Sequence, residues 1–461
     1  MNLAEQNLQT IRNRISSIME QLKQHQESVE SKDISTKSIE DAHGLSKELS
    51  DLFSALKHQE KVLSDSFKAE LKAQLDAYGK KTTFKEYRAT NVMYRNGTRI
   101  DIYTPYYLIK GTGNNKNTGA KPALALLGIH QSMSNGLSTY IAMLCSALSS
   151  YEEVRKLLLR EGVKLCVESI VNISKEMSRL ARLTQQAEKY SLQFNQAFTV
   201  IISMDGGRVR IRNKKRGRKT KKNRNRFKGA WREVKLFVIY VVDAEGNKIK
   251  TELPIIDGLI GSPQKVFDLL KQYLSSLKLE GCKNIVFVAD GAPWIWNRAN
   301  ELIASLNLDN VNVYEVLDYF HAMEHLHQIA KQIHKNTKAR KKWIRACKGL
   351  LHEGKVEEFI EKLKTDTKGK RGKKVKTERN YFINHQTRLI YKECTDNGLP
   401  QGSGAIESSI RRVVNLRMKG NSIYWKEESA NSMLFLRSYY KAGRWSELED
   451  MAYQGGLAIA A

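Results

Sequence analysis

Three acidic residues of this chain stand where they could share a metal ion. Asp205 follows an apolar, β-type run at 197–204, and Asp290 follows a similar run at 284–289. Glu407 follows a Gly-Ser-Gly turn at the predicted start of a helix. Carboxylates that converge on one point repel each other unless cations neutralise them, and Mg²⁺ or Mn²⁺ is the cation expected with oxygen ligands. Because such ions promote in-line displacement at phosphorus, the three acids predict metal-dependent phosphoryl transfer.

The two aspartates are informative as a pair rather than singly. An aspartate after a strand commonly caps a helix or makes a turn, and the chain has 49 acidic residues. In open α/β sheets, however, sites form at the carboxyl ends of the strands. If the two strands are neighbours, Asp205 and Asp290 both point into one crevice.

A second polar group, Asp318, His321 and His325, follows a predicted strand at 311–317. His321 could be a general base, a phosphate contact or a structural partner of Asp318, and we favour the structural role. His325 lies four residues on, on the same face of a helix. The three residues could also bind a transition metal by their spacing, which is the less favoured alternative.

The elements that position these residues follow from the hydrophobic pattern. Predicted strands lie at 197–204, 234–242, 247–253, 284–289 and 311–317, and predicted helices lie at 263–277 and 293–306. Ser262 and Pro263 supply the N-cap and the first position of the earlier helix. Three consecutive strands predict a meander, and the later alternation predicts parallel crossover units. This order is that of the ribonuclease-H-like fold, in which the first and fourth strands are neighbours.

A basic run joins the first two predicted strands. Between Arg208 and Lys228, 13 of 21 residues are Lys or Arg. A solvated loop is the usual interpretation, but charge of this density beside Asp205 favours binding to phosphates. A predicted basic loop at 364–376 offers a second phosphate surface. The candidate nucleic-acid contacts are Arg208, Arg210, Lys214, Lys215, Arg216, Arg218, Lys219, Arg411, Arg412, Arg417 and Lys419.

The remaining part of the C-terminal half is predicted to be helical. A basic helical region runs from 321 to about 392, and further helices are predicted at 405–420 and 426–442. Its core candidates are Trp343, Leu350, Leu351, Phe359 and Ile360. Trp294, Trp296 and Trp425 are also core candidates, with stacking on an unpaired base as the alternative.

The N-terminal half gives weaker signals. Apolar residues repeat as coiled-coil seams at 8–22 and 45–63, which predicts two helices separated by a polar stretch at 27–41. These helices could form an intramolecular hairpin or a dimer. Short strands are predicted over 84–130, without a role. Helices at 151–160 and 167–193, broken at Gly162, have the spacing of a helix-turn-helix or of an ordinary helical hairpin.

Composition restricts the class of partner. The 77 Lys and Arg exceed the 49 Asp and Glu, a formal net charge of +28, so a polyanion is the expected partner. The most apolar stretch, 122–129, is far shorter than the roughly 20 residues that span a bilayer, and no secretory signal is visible. The five cysteines form no CxxC pair, which argues against a structural zinc site or a disulfide framework. We therefore expect a cytoplasmic protein without membrane contact.

Four segments carry a family resemblance: VIISMDGGRV, FVADGAPWIWNRA, LDYFHAMEHL and LPQGSGAIESSIRRVVNLRMKGNSIYW. In this order they resemble the motif blocks of bacterial insertion-sequence transposases of the Mutator-like DDE group, closest to the Kra-type elements. The resemblance covers roughly 193–444. It implies Asp205, Asp290 and Glu407 as catalytic residues and metal ligands, with Mg²⁺ or Mn²⁺ as cofactor. Asp318 and His321 match an accessory Asp/Cys-x-x-His signature.

The hydrophobic pattern of the N-terminal half and the resemblance of 193–444 together predict an organisation, and the resemblance implies a function. The fold class is α/β, a ribonuclease-H-like catalytic domain with an all-α insertion, preceded by helical N-terminal segments. The predicted segments are 1–83 (helical), 84–193 (mixed, with the helix-turn-helix candidate), 194–330 (catalytic core), 331–395 (insertion) and 396–461 (helices that complete the core). The partners are the element ends and target DNA, with a homo-oligomer on DNA and association with the bacterial nucleoid. The alternatives are a catalytically inactive transposase-derived DNA-binding protein and a nuclease or resolvase.

Overall fold

The computed structural model describes residues 2–30, 36–77, 81–111, 117–185, 198–221, 223, 225–249, 251–277, 279, 281–306, 311–370 and 372–455. The chain is mixed α/β and divides into two compact units. The first unit contains 1–187 together with 445–461, and the second contains 188–444. Within the described residues, no helix has both the length and the apolar composition needed to cross a membrane.

The first unit combines helices with a small antiparallel sheet. Its helices are α1 (Leu3–Glu30), α2 (Thr36–Leu63), α3 (Asp65–Ala77), α4 (Pro122–Leu126), α5 (Asn135–Ala147), α6 (Tyr151–Arg160), α7 (Val167–Gln185) and α18 (Trp445–Gly455). Its strands are β1 (Thr82–Met93), β2 (Arg99–Ile109) and β3 (Thr118–Ala120), in that order in the sheet. The strands predicted over 84–130 are therefore present. Most of the connection between β2 and β3 lies outside the described residues.

The two predicted seams meet within the chain. Ile15 and Ile18 of α1 are buried in one core with Leu52 of α2. At the edge of this contact, Arg12 Nη2 lies 2.9 Å from Glu60 Oε1. The helices thus form the intramolecular hairpin. α1 continues to Glu30 and α2 begins at Thr36, so both helices extend into the polar stretch predicted at 27–41. Oligomerisation through this segment stays a prediction.

The predicted pair of helices around Gly162 is also present. Gly162 has a φ of +95°, a left-handed conformation that glycine adopts without strain. The second helix, α7, ends at Gln185, and the rest of its predicted length lies outside the described residues. α5, α6 and α18 all pack against α7. Their contacts leave Glu168, Asn172 and Arg179 at least partly exposed, a surface of mixed charge.

The second unit is built on a five-stranded mixed sheet in the order β6-β5-β4-β7-β8. The strands are β4 (Phe198–Lys214), β5 (Phe227–Val242), β6 (Ile255–Ile260), β7 (Cys282–Ala289) and β8 (Asn312–Leu317). β4, β5 and β6 form the predicted antiparallel meander, while β4, β7 and β8 pair in parallel. α8 (Pro263–Ser276) and α9 (Pro293–Ala304) follow β6 and β7. The Ser262 side chain accepts a bond from the Lys265 N–H, so the predicted N-cap is confirmed.

Three predicted strand limits are wrong. β4 continues nine residues beyond Asp205 to Lys214, and β5 begins at Phe227 rather than at 234. The third strand is Ile255–Ile260 and not 247–253. Asp-Gly pairs normally favour turns. Here, however, Asp205-Gly206 lies within β4 and Asp257-Gly258 lies within β6, because both pairs are hydrogen-bonded to β5. At Gly258 a Cβ would lie 2.1 Å from the Lys235 carbonyl oxygen, so this strand position requires glycine.

The two faces of this sheet carry different helices. Met204 and Phe287 pack on the side covered by α8 and α9, which we call the α8 face. Ile201 and Val288 pack on the opposite side, against α10 (Tyr319–Ile333), which we call the α10 face. Side chains alternate between the two faces along each strand. This alternation decides where the acidic residues point.

The helical insertion follows α10. It contains α11 (Thr337–His352), α12 (Val356–Asp366), α13 (Lys373–Asn384), a 3₁₀ turn (Gln386–Arg388) and α14 (Tyr391–Asp396). The core candidates Trp343, Leu351, Phe359 and Ile360 are buried, and Leu350 is partly buried. The predicted basic loop at 364–376 is shorter than expected, because α12 extends to Asp366 and α13 begins at Lys373.

The unit ends with α15 (Gly404–Ser409), a π-helical segment (Ile410–Asn415), α16 (Leu416–Met418) and α17 (Glu427–Ala442). A π-helix leaves backbone carbonyls without their usual partners. Buried Arg437 of α17 compensates, because its Nε donates to the Val413 carbonyl at 2.7 Å. The predicted segment 396–461 is thus shared between the two units, since α18 belongs to the first.

Candidate active site

Asp205 and Asp290 lie side by side on the α10 face. The parallel ladder between β4 and β7 ends at the pair Met204–Ala289, so each aspartate is the next residue along its strand. Met204 points to the α8 face, and alternation therefore directs Asp205 and Asp290 to the opposite face. Asp205 lies inside β4 rather than at its end. Because β4 and β7 are paired in this register, the two aspartates are nevertheless neighbours, as predicted.

Asp318 connects two distant segments next to these aspartates. It caps α10, where its Oδ1 accepts the His321 N–H at 2.7 Å. Its Oδ2 accepts the Ser403 N–H, which lies directly before α15. The Tyr319 N–H donates to the Gln401 carbonyl at 2.9 Å and reinforces the junction. A fully buried carboxylate thus fixes the start of α10 beside the start of α15.

His321 and Glu407 extend from these two helix starts. His321 Nδ1 lies 3.1 Å from Asp318 Oδ1, as an ion pair rather than an aligned hydrogen bond, and 3.9 Å from Glu407 Oε1. One ligand atom from each of Asp318, His321 and Glu407 lies within 4.8 Å of the other two. The Glu407 side chain is 51% exposed. Among the described residues, Glu407 therefore groups with Asp318 and His321, whereas Asp205 and Asp290 lie outside this group and interact with His321 electrostatically.

The pKa values show that the acids and His321 share one electrostatic environment. Burial raises the pKa of Asp205 to about 6, and the negative charges of Asp290 and Glu407 add to the rise. Burial also raises the pKa of Asp290, and the neighbouring acid Asp318 contributes. His321 opposes both shifts with its positive charge. Ionised Asp205 and Asp290 are thus unfavourable unless a cation is near them.

Contact with Asp318 explains the charge on His321. This contact raises the pKa of His321 to about 9, and Asp290 and Glu407 add to it. For Asp318, burial opposes ionisation, but the bonds from His321 and Ser403 outweigh it and lower the pKa to about 2. At neutral pH the site therefore holds an imidazolium beside an ionised Asp318.

The donor set fits a hard divalent cation. Asp205, Asp290 and Glu407 offer carboxylate oxygens, which are the ligands that Mg²⁺ and Mn²⁺ prefer. The two aspartates are raised in pKa by burial and by neighbouring acids, which a bound cation would relieve. Both Asp318 oxygens already accept backbone N–H bonds. Asp318 is accordingly better suited to fix the starts of α10 and α15 next to each other than to serve as a metal ligand.

The insertion contributes residues that the sequence did not indicate. Tyr381 of α13 packs on Gly291, where a Cβ would lie 2.2 Å from the Tyr381 ring. Tyr381 also stacks on His325, with ring centroids 3.7 Å apart. His325 Nδ1 contacts Glu378 Oε2, so the proposed set of Asp318, His321 and His325 as metal ligands is not formed. No sequence signal links Tyr381 to Gly291, because the contact spans 90 residues of chain.

The basic run forms an extended arm instead of a loop. The pairing of β4 with β5 continues to Lys214 and Phe227, and we call the hairpin from 208 to 233 the basic arm. Arg208, Lys214, Lys215, Arg216, Arg218 and Lys219 are exposed on it. Arg210 instead packs between Trp231 and Tyr424, with its guanidinium carbon 5.3 Å and 4.8 Å from the ring centres.

The four basic residues predicted near the π-helix differ in exposure. Arg411 and Lys419 are exposed and stay candidate DNA contacts. Arg412 is partly buried and donates to the Lys441 carbonyl at 3.3 Å. Arg417 is buried with its guanidinium over Trp425, so its prediction as a DNA contact is wrong. The physical reason is that a charged residue inside a basic stretch gives no signal of burial.

The tryptophans are mostly core residues, as favoured from the sequence. Trp296 and Trp425 are buried, and Trp294 is partly buried against the α8-face core. The Trp296 indole N–H donates to the Asp290 carbonyl and fixes the backbone at that aspartate.

No protein-family model matches the chain, and no curated protein matches it. The family resemblance of the four motif segments therefore stays a prediction.

Proposed function

We propose that the chain is a DDE-type transposase that cleaves and joins the DNA ends of an insertion sequence with Mg²⁺ or Mn²⁺. One observation carries the proposal: Asp205 and Asp290 follow the last pair of a parallel ladder on one face, where His321 interacts electrostatically with both of them and Glu407 interacts with Asp205. An acid cluster of this kind is suited to binding the cations that promote displacement at phosphorus.

The sheet supports a ribonuclease-H-like assignment of the second unit. The first strand, β4, is central, with the antiparallel meander on one side and the parallel β7 and β8 on the other. The helical insertion lies between the second aspartate and Glu407 in the chain. Both features agree with the expected α/β core interrupted by an all-α insertion.

The residues divide into ligands and positioning groups. Asp205, Asp290 and Glu407 would hold the cation, which when bound supplies positive charge for the attack of an oxygen nucleophile on phosphorus. Asp318 positions His321 and the start of α15, and through α15 it positions Glu407. The His321 imidazolium provides a positive charge among the carboxylates and can bind a phosphate oxygen.

Charge-neutral substitutions test the proposal. Asp205→Asn, Asp290→Asn or Glu407→Gln should each abolish metal-dependent cleavage and leave DNA binding intact or stronger, because the fold keeps its shape and loses negative charge. Asp268→Asn, on the exposed side of α8, is the matched control and should cleave normally. The substrates are DNA flanking the gene, searched for inverted repeats, and the readouts are nicked and joined products.

The outcomes separate the alternatives. Cleavage followed by joining supports a transposase, and cleavage without joining supports a nuclease or resolvase. Tight DNA binding with no cleavage in Mg²⁺ or Mn²⁺ supports the inactive DNA-binding protein. Full cleavage by any one of the three variants removes that residue from the site.

A further inference from the structure

The basic arm carries aromatic rings on the same face as its arginines. Arg210, Arg212 and Lys214 on β4 pair with Trp231, Gly229 and Phe227 on β5, and directly paired residues point to the same side. Trp231 is 53% exposed and Phe227 is 45% exposed. A single exposed ring is common on a protein surface, whereas exposed rings grouped in one patch mark an interaction site.

Tyr424 completes this surface from a separate segment. Its ring lies over Gly229, where a Cβ would be 2.8 Å from the ring, so glycine makes room for it. Tyr424 contacts Phe227 edge-on, with ring centroids 5.2 Å apart. Trp425, the next residue, is hydrogen-bonded by its backbone to Arg210 and Arg212, which anchors the segment to the arm.

Rings and guanidinium groups therefore form a row. Arg210 lies between Trp231 and Tyr424, and Arg212 lies 5.8 Å from the centre of the Phe227 ring. The row begins five residues from Asp205, roughly 17 Å along the strand, and by alternation it occupies the face opposite to Asp205. It is thus a surface separate from the acid cluster.

We propose that this row binds unpaired bases of a DNA strand by stacking, while the lysines and arginines at the tip of the basic arm bind its phosphates. Exposed aromatic rings interleaved with cations suit single strands, because every unpaired base offers a flat face and every nucleotide offers a negative charge. In paired DNA the base faces are covered, so a duplex would engage only the cations. This assignment rests on DNA as the substrate of the proposed function, which it deepens.

The test separates base contacts from phosphate contacts. Binding is measured in EDTA by fluorescence anisotropy with a labelled thymidine 12-mer and with an abasic 12-mer of equal charge. The intact protein should prefer the strand with bases by about five- to 150-fold, the range for one stacked base. Trp231→Ala combined with Phe227→Ala should reduce this preference to near unity and leave abasic affinity within about twofold. Trp231→Phe should restore part of the preference.

Two controls make the result specific. Phe53→Ala removes a similarly exposed ring from α2 and should leave the preference unchanged. Replacing Lys214, Lys215 and Arg216 with Gln should weaken binding to both strands alike and keep the preference. The proposal is overturned if the intact protein shows no preference, if the double variant keeps it, or if the double variant loses both affinities equally. Since the assay contains no metal and requires no cleavage, failure of the proposed enzymatic activity would leave its result unaffected.

Discussion

Asp318 joins parts of the second unit that lie 85 residues apart in the chain. Both of its oxygens accept backbone N–H bonds, and the same carboxylate contacts the His321 ring. The sequence predicts Asp318 as an accessory residue next to His321, and that pairing is present. Its bond to Ser403 could not be predicted, because no local pattern connects a strand end to a turn so far along the chain.

Replacing Asp318 with Asn should destabilise the second unit and lower the pKa of His321. Each oxygen of the Asp318 carboxylate accepts one backbone N–H bond, from His321 or from Ser403, whereas the asparagine amide has only one acceptor oxygen. One buried N–H therefore loses its partner, which costs roughly 1–3 kcal/mol. The His321 pKa should fall from about 9 towards its usual value, since the ion pair is removed. Urea unfolding and a histidine NMR titration measure the two effects. An unchanged His321 pKa would show that Asp318 does not hold the imidazolium.

Metal affinity should rise with pH across two steps. Asp205 must lose its proton to bind a cation, and its pKa of about 6 makes binding weak below that pH. His321 must lose its positive charge for repulsion of the cation to end, which extends the rise towards pH 9. Calorimetric titration with Mn²⁺ at about pH 5.5, 7 and 9.5, which lie on either side of both pKa values, measures both steps. In His321→Gln the increase above neutral pH should disappear, and an affinity that is constant over this range in the intact protein would contradict the expectation.

The His321–Asp318 pair also makes stability depend on pH. Because the folded-state pKa of His321 is raised, its stabilising contribution is complete below the ordinary histidine pKa and is lost as the pH rises through about 9. The lowered pKa of Asp318 acts in the opposite direction, and its contribution is lost only as the pH falls through about 2. The ion pair is therefore maintained around neutral pH.

Among the secondary-structure elements, β4 is the most informative comparison with the sequence. Its apolar first half is evident from the residues, but the Asp-Gly-Gly triplet suggests an end that the strand does not have. The strand continues because β5 pairs with it on one edge and the Trp425 backbone bonds to it on the other. Pairing with β5 also explains why β6 is not predicted from the sequence. Its Asp257 is buried, and the carboxylate accepts a hydrogen bond from Tyr273 Oη at 2.8 Å. Long-range partners of this kind leave no trace in local propensity.

Neutralising the arm tip should lower the salt dependence of DNA binding. With Lys214, Lys215, Arg216, Arg218 and Lys219 replaced by Gln, the slope of log affinity against log salt should become shallower by about 0.9 for each DNA phosphate that the protein no longer neutralises. The weakening should be alike for all DNA sequences, because phosphates carry no base identity. Filter binding at several salt concentrations measures the slope.

A matched control removes equal charge elsewhere. Lys335, Lys338, Lys341, Lys342 and Arg345 are exposed at the beginning of the insertion. Their replacement by Gln gives the same change in net charge and should alter the slope less than the arm variant does. Equal slopes in the two variants would mean that net charge, and not the arm, governs binding.

At the scale of the whole molecule, the division into units differs from a simple order along the chain. The predicted boundary near 193 lies close to the start of the second unit at 188, and the helical character of the N-terminal part is predicted correctly. The return of α18 to the first unit is not predicted by the sequence. Its buried Leu448 and Met451 are compatible with any core, and only the packing against α7 assigns them.

This division decides which fragment should fold alone. A fragment of 188–444 should fold cooperatively and keep metal-dependent nicking at low salt, because it contains the sheet, the insertion and the acids. It should lose the preference for element ends if the first unit supplies base recognition, since phosphate contacts position a protein without specifying sequence. Gel shifts and cleavage on end DNA and scrambled DNA compare it with the full chain. An equally strong preference in the fragment would place recognition in the second unit.

The position of α18 also has a consequence for synthesis. The ribosome delivers 1–187 first, yet the helix that packs along α7 emerges only after all of 188–444 has been made. Until then, the apolar surface of α7 that α18 contacts in the folded protein is exposed. Exposed apolar surface of this kind favours aggregation and binds chaperones. A messenger RNA truncated within the region that encodes the second unit would yield a first unit without α18. A chain interrupted within the second unit would therefore expose the apolar surface of α7 that α18 covers in the folded protein.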